Sequence, residues 1–361
     1  MFLLKHEDNV VFEFDPVTKF FRLVSNSYLP VSLCSLSPSY SMVAEFCTSR
    51  ILLYNRAYFK EIVLACGLEN QDPVSICIAS MGFSFTDNYW IDTSTSKKLW
   101  KDCNIRSNIF RNDLSLTALT GIPSAKRIIL NDNFYTGELT VKGTRPKCFI
   151  RRDKEVFLLK NETTREIASE IVSYVIARAL NLNSSIYSFI KYQGVNCSCC
   201  EIDTRIDNEL VHCRDIMSYY NAVKPSDSCV YNFFYRLDAR NFILMQLFDY
   251  LTLNTDRNRD NYGMRCYRGN PLDLYPLYDH DSCFKGKSVK ALYFVTGTTF
   301  EETLKIISRD KVFYIERDNI YNACTFYKTF KFKEFFTNYL TLEDYNKFMD
   351  RVDTVLLHTK Q

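Results

Sequence analysis

The chain has 361 residues, 47% hydrophobic and 24% charged, and its basic residues exceed its acidic ones by 45 − 42 = 3. Such a chain buries a sizeable core without disulfide or metal staples, and it is not disordered, collagen-like or a coiled coil. A net charge of +3 is too mild to point to nucleic acid, and ten glycines are too few for a glycine-turn repeat fold or a full Rossmann fingerprint.

At roughly 100–200 residues per domain, the length predicts about two domains or one large two-lobed one. The opening Met1-Phe-Leu-Leu-Lys5 lacks a basic region followed by an apolar stretch. No run of about 18 apolar residues follows anywhere. We therefore expect a cytoplasmic chain with reduced thiols, despite its 14 cysteines. Cys197, Cys199 and Cys200 form C-x-C-C rather than the paired C-x-x-C of a zinc site, so they read as packed thiols.

Residues 1–130 read as a mixed α+β module. Val10–Asp15 and Phe20–Val24 alternate like strands around the Asp15-Pro16 turn. Arg56–Cys66 has helical spacing and stops at Gly67, whereas Asp72–Ser80 reads as a strand. Met81–Ile91 reads as a loop entering a short strand; Trp90 and Trp100 read as core.

Over residues 131–204 the pattern changes. Leu139–Lys147, Cys148–Arg152 and Val156–Lys160 predict a three-stranded antiparallel meander. Thr164–Leu180 is the clearest amphipathic helix, with Ile167, Ile171, Tyr174, Val175 and Arg178 on a period of about 3.6. Two more strands are predicted over 183–192 and 194–203. From 205 to 361 the chain reads as mostly helical.

The chemistry concentrates where the apolar helix Asn241–Leu251 runs into Thr252-Leu-Asn-Thr-Asp-Arg-Asn-Arg-Asp-Asn-Tyr-Gly263. Asp256 and Asn261 form the D-x4-N step of kinase catalytic loops, in which the Asp takes or orients a hydroxyl proton and the Asn gives an oxygen to Mg²⁺. Tyr275-Pro-Leu-Tyr-Asp279 reads as a strand that delivers a second acid, with Asp281 as a further candidate. Lys160 ends a meander strand, where a kinase holds its phosphates; Glu166 or Glu170 on the next helix could orient it. Thr140–Lys147 offers hydroxyls, cations and Gly143 for phosphate but is not a G-x-G-x-x-G loop. Taken singly, each of these is an ordinary capping loop, turn or strand end, and His280 reads as structural. Their joint order along the chain carries the reading.

At these residues the sequence resembles the HipA-like serine/threonine kinases, in particular the shorter kind of Gram-positive bacteria and their mobile elements. The matching segments are Gly82–Ile91, Val156–Lys160, Glu166–Ile171, Asn254–Gly263 and Pro276–Asp279. The resemblance implies an α+β, two-lobed protein-kinase-like (HipA-like) fold with an extra N-terminal α+β module. Residues 1–130 would be the family-specific module, 131–204 the kinase N-lobe and 205–361 the mostly helical C-lobe. It implies an ATP- and Mg²⁺-dependent protein kinase in which Asp256 is catalytic, Asn261 and Asp279 are metal ligands, and Lys160 contacts ATP phosphates, with Glu170 to orient it. Thr140, Gly143 and Thr144 would cover the phosphates, and Glu201 and Ile202 would supply the adenine-side hinge. The family usually has His where this chain has Asn258. Family members are often toxins held by an antitoxin, so an antitoxin-like partner and autophosphorylation at Thr140 or Thr144 are implied. No helix-turn-helix signature is present, and no direct nucleic-acid or membrane contact is expected. Phosphoinositide kinases share Asp-Arg-His-x-x-Asn, so a small-molecule or lipid kinase stays open as an alternative. So does an ATP-binding pseudokinase acting as an interaction module.

Overall fold

The computed structural model describes residues 1–108, 110, 112–123, 136–223, 230–285 and 299–360. It divides into two compact units. The first is Met1–Asn161 with Ile190–Leu210 and Cys266–Asn270; the second is Glu162–Phe189 with Val211–Arg265 and Pro271–Gln361.

In the first unit, β1 (Phe2–His6), β2 (Asn9–Asp15), β3 (Phe20–Leu23) and β4 (Tyr89–Thr93) form a sheet in the order β3-β2-β1-β4. Their pairings are antiparallel, and the strands expected around Asp15-Pro16 are β2 and β3. Helices α1 (Ser41–Arg50), α2 (Phe59–Ala65), α3 (Pro73–Ala79), α4 (Trp100–Cys103) and α5 (Ser115–Thr120) accompany it. Phe83, Trp90, Trp100, Phe110 and Phe149 pack one aromatic core, so both tryptophans are core residues as expected.

A second sheet runs β5 (Lys147–Arg152), β6 (Glu155–Asn161), β8 (Val195–Ile202), β7 (Tyr187–Tyr192). Two expectations fail here for identifiable reasons. Asp72–Ser80 is helical rather than extended: the Asp72 carboxylate accepts the backbone N–H groups of Val74 and Ser75, and Pro73 fills the first helical position. That cap outweighs the β-branched residues behind it. Leu139–Lys147 is not a strand, because Gly143 adopts a left-handed φ of 91° and Pro146 has no N–H to give to a ladder. The meander therefore has two strands, β5 and β6, and not three.

The second unit is mostly helical. Its helices are α6 (Thr164–Ala179), α7 (Cys213–Val223), α8 (Val230–Thr252), α9 (Phe300–Ile307), α10 (Lys311–Ile315), α11 (Arg317–Tyr327), α12 (Phe330–Tyr339) and α13 (Leu342–Thr359). The strands β9 (Glu209–His212), β10 (Gly263–Tyr267) and β11 (Asn270–Leu274) pair in the order β11-β10-β9, with Glu209, Leu210 and Cys266–Asn270 counted in the first unit. Tyr275–Tyr278 is not the expected strand. Pro276 interrupts it, and Leu277 makes only an isolated parallel bridge to Ser184.

α6 begins with a reciprocal cap. The Glu166 N–H donates to Thr163 Oγ1 at 3.3 Å, and the Thr163 N–H donates to Glu166 Oε2 at 3.0 Å. Thr163→Ala is expected to cost about 1 kcal/mol, read as a lowered urea midpoint at unchanged slope. The described cysteines are all free thiols. Among the described residues, no helix is long and apolar enough to cross a membrane.

Candidate active site

The second unit builds its polar loop on the buried end of α8. Leu253 turns left-handed at φ 49°, and the Asn254 N–H donates back to Asp249 O at 3.0 Å. Asp249 sits in the buried stretch Phe242–Thr252 of α8 and is 3% exposed; Arg257, 1% exposed, is its partner. Arg257 Nη2 lies 3.1 Å from Asp249 Oδ1, and Arg257 Nε lies 3.2 Å from Oδ2. Burial raises the Asp249 carboxyl above its ordinary range, and Arg257 opposes that rise. Burial also works against the guanidinium charge, but Asp249 outweighs it and Arg257 lies above its usual value.

Arg257 has a second task. Its Nη1 donates to Asn261 O at 2.9 Å and to Tyr278 O at 3.0 Å. One guanidinium thus staples the loop that carries Asp256 to the segment that carries Asp279. The sequence signal for Arg257 is Asp249, the one carboxylate in the stretch Phe242–Leu251.

Asp256 is half-buried and held from both sides. Asn258 Nδ2 donates to Asp256 Oδ1 at 2.9 Å, and Asn261 Nδ2 donates to Oδ2 at 3.2 Å and to the Asp256 carbonyl at 2.8 Å. Each carboxylate oxygen thus receives one amide donor. With its nitrogen committed to Asp256, Asn261 has its side-chain oxygen as the atom that can face a cation.

The acidic segment is equally constrained. Asp279 is left-handed at φ 61°, and its N–H donates to Tyr187 Oη at 2.9 Å. The His280 N–H donates to Glu170 Oε2 at 2.7 Å, and Ser169 Oγ donates to Cys283 O at 3.1 Å. α6 therefore sets the turn from Asp279 to Cys283. His280 is fully buried, with Nε2 3.3 Å from Ser184 Oγ and its ring edge-on to Phe248. Asp281 accepts from Ser282 Oγ at 2.8 Å. Glu166, besides capping α6, pairs with Lys285 at 2.9 Å.

The other candidates lie in the first unit. Lys160 is buried on β6, opposite Lys147 of β5 and Ser198 of β8. Thr140 is buried, whereas Thr144 is exposed and its carbonyl accepts from the Ala57 N–H at 2.8 Å. Glu201 and Ile202 end β8, opposite Phe157 and Val156. Burial raises the Glu201 carboxyl.

No protein-family model and no curated protein matches the chain. Among solved structures it is similar to HipA of Shewanella oneidensis MR-1, from the toxin–antitoxin complex of HipA, HipB and operator DNA. That likeness covers 100% of this chain and 97% of the other at 12% identity, with a TM-score of 0.57. The chain has a HipA-like, kinase-like fold. A second similar structure is the proinflammatory kinase CtkA of Helicobacter pylori, at 15% identity over 60% of this chain and 92% of the other, with a TM-score of 0.46.

The donor set suits the cation expected from the sequence. Asp256, Asn261, Asp279 and Asp281 are hard oxygen donors of the kind Mg²⁺ takes.

Proposed function

We propose that the chain is an ATP- and Mg²⁺-dependent phosphotransferase of HipA-like type that modifies serine or threonine of a protein. The observation that carries this reading is the Asp256 carboxylate, gripped by Asn258 and Asn261 in a loop fixed by the buried Asp249–Arg257 pair. ATP and Mg²⁺, when bound, supply the phosphoryl group and the positive charge that offsets it. Asp256 takes the proton of the acceptor hydroxyl. Asn258 and Asn261 hold its oxygens in place, so that little reorganisation is needed as the proton arrives. The side-chain oxygens of Asn261 and Asp279, with Asp281 as a further candidate, would hold the cation. From the first unit we assign Lys160 to the phosphates, Thr140, Gly143 and Thr144 to the phosphate-covering segment, and Glu201 and Ile202 to the adenine side. Glu170 is assigned a positioning part, because its carboxylate receives the backbone N–H next to Asp279.

We read 1–130 as the N-terminal module, 131–204 as the kinase N-lobe and 205–361 as the C-lobe. HipA of Shewanella oneidensis was solved with HipB and operator DNA. By that likeness we propose a cytoplasmic toxin held by an antitoxin-like protein partner.

Calorimetry with a non-hydrolysable ATP analogue tests the reading at the binding step. Binding is expected with Mg²⁺, and EDTA or Asp279→Asn is expected to weaken it at least tenfold. Unchanged affinity in EDTA and in the variant would contradict the metal assignment. No binding under any condition would remove the nucleotide from the account.

A further inference from the structure

The first unit holds a polar cluster that the phosphotransfer reading does not use. His6 ends β1, Glu7 follows it in the turn to β2, and Glu209 starts β9, 203 residues from His6. All three are buried, at 1%, 7% and 4% exposure. One ring nitrogen of His6 and one carboxylate oxygen each from Glu7 and Glu209 lie within 4.8 Å of one another.

Most of the cluster's hydrogen bonds are made. His6 Nε2 lies 2.7 Å from Glu209 Oε1, Asn88 Nδ2 donates to the same oxygen at 2.5 Å, and Arg268 Nη2 donates to Glu7 Oε2 at 2.8 Å. Two buried atoms nevertheless have no hydrogen-bond partner, His6 Nδ1 and Glu7 Oε1. Buried polar atoms are nearly always satisfied, so a pair left over in one cluster needs an explanation. Glu7 Oε1 is a carboxylate oxygen suited to a cation, and with the ring proton on Nδ1 the His6 nitrogen that faces Glu209, Nε2, presents a lone pair to the same place.

The backbone agrees. Successive residues of a strand face opposite ways. Glu7 is instead left-handed at φ 52°, a conformation that favours glycine, and its carboxylate joins that of Glu209 at the ring of His6.

We propose that His6, Glu7 and Glu209 bind a divalent transition cation of the zinc class. One neutral imidazole and two carboxylates balance a dication, and they match the borderline ligands that Zn²⁺ takes, whereas Mg²⁺ and Ca²⁺ prefer oxygen alone. Arg268 and Asn88 orient the two carboxylates from outside the ligand set. Bound there, the cation ties the β1–β2 turn to the start of β9.

The test uses the full chain, stripped with chelator, loaded with Zn²⁺ and dialysed, with metal content and thermal unfolding as readouts. One Zn²⁺ per chain is expected, with a Tm that rises with Zn²⁺ concentration. Glu7→Gln is expected to weaken binding at least tenfold and abolish the Tm rise. Glu7→Gly is the second variant: it suits the left-handed backbone, so it removes the carboxylate without threatening the fold. Because the chain has 14 cysteines, Co²⁺ is loaded in parallel. A weak visible spectrum without a thiolate charge-transfer band is expected. No retained Zn²⁺, equal retention in both Glu7 variants, or a strong thiolate band would each overturn the proposal. None of these readouts depends on ATP.

Discussion

Asp256→Asn is expected to lower phosphoryl transfer by about 10²–10⁴-fold, the range that a positioned general base contributes. The substitution is isosteric and the residue is half-buried, so circular dichroism should report an intact fold. The loss comes from chemistry: the amide cannot take a hydroxyl proton. It also replaces one of the two oxygens held by the Asn258 and Asn261 side chains by a donor, so one of the two grips is lost. Affinity for the ATP analogue should change far less than the rate. A variant that keeps wild-type turnover would exclude Asp256 as the base.

Arg257→Met is expected to have the largest effect on stability. It strands the buried Asp249 carboxylate and removes the donor to the carbonyls of Asn261 and Tyr278. Breaking a buried pair from one side costs about 3–5 kcal/mol, far more than removing both charges together. Asp249→Leu combined with Arg257→Met should therefore recover much of the loss, and urea unfolding of the four proteins closes the cycle. The pH dependence has a definite sign. Burial raises the Asp249 carboxyl, and the missing guanidinium no longer opposes that rise. A carboxyl whose pKa is raised on folding favours the folded state below its unfolded pKa of about 3.9, and that support is lost as pH rises through the folded pKa. The deficit of Arg257→Met should therefore shrink in acid and grow toward neutral pH. A deficit independent of pH would mean that Asp249 is not the stranded group.

The parts legible in the sequence were local. The period of α6 lies within one stretch, Thr164 to Ala179, and Asp256 and Asn261 are five residues apart. The fold class followed from the order of such local features, and the likeness to HipA agrees with it. α3 was misread because Val74, Ile76 and Ile78 alternate like a strand, and the Asp72-Pro73 cap was given too little weight. What stayed hidden is long-range. The Glu170 carboxylate accepts the backbone N–H of His280, 110 residues away. Periodicity carries no trace of such a bond. The His6, Glu7 and Glu209 cluster was hidden for the same reason, since nothing near His6 in sequence points to Glu209.

The measurement that tests the central claim most directly is incubation of the purified chain with γ-labelled ATP and Mg²⁺, wild type beside Asp256→Asn, with a candidate protein acceptor and mapping of the label. The account predicts label on serine or threonine hydroxyls with the wild type and at least a hundredfold less with the variant, in keeping with loss of a general base. Equal labelling by both proteins, or an ATP-binding wild type that transfers nothing to any protein, would contradict it.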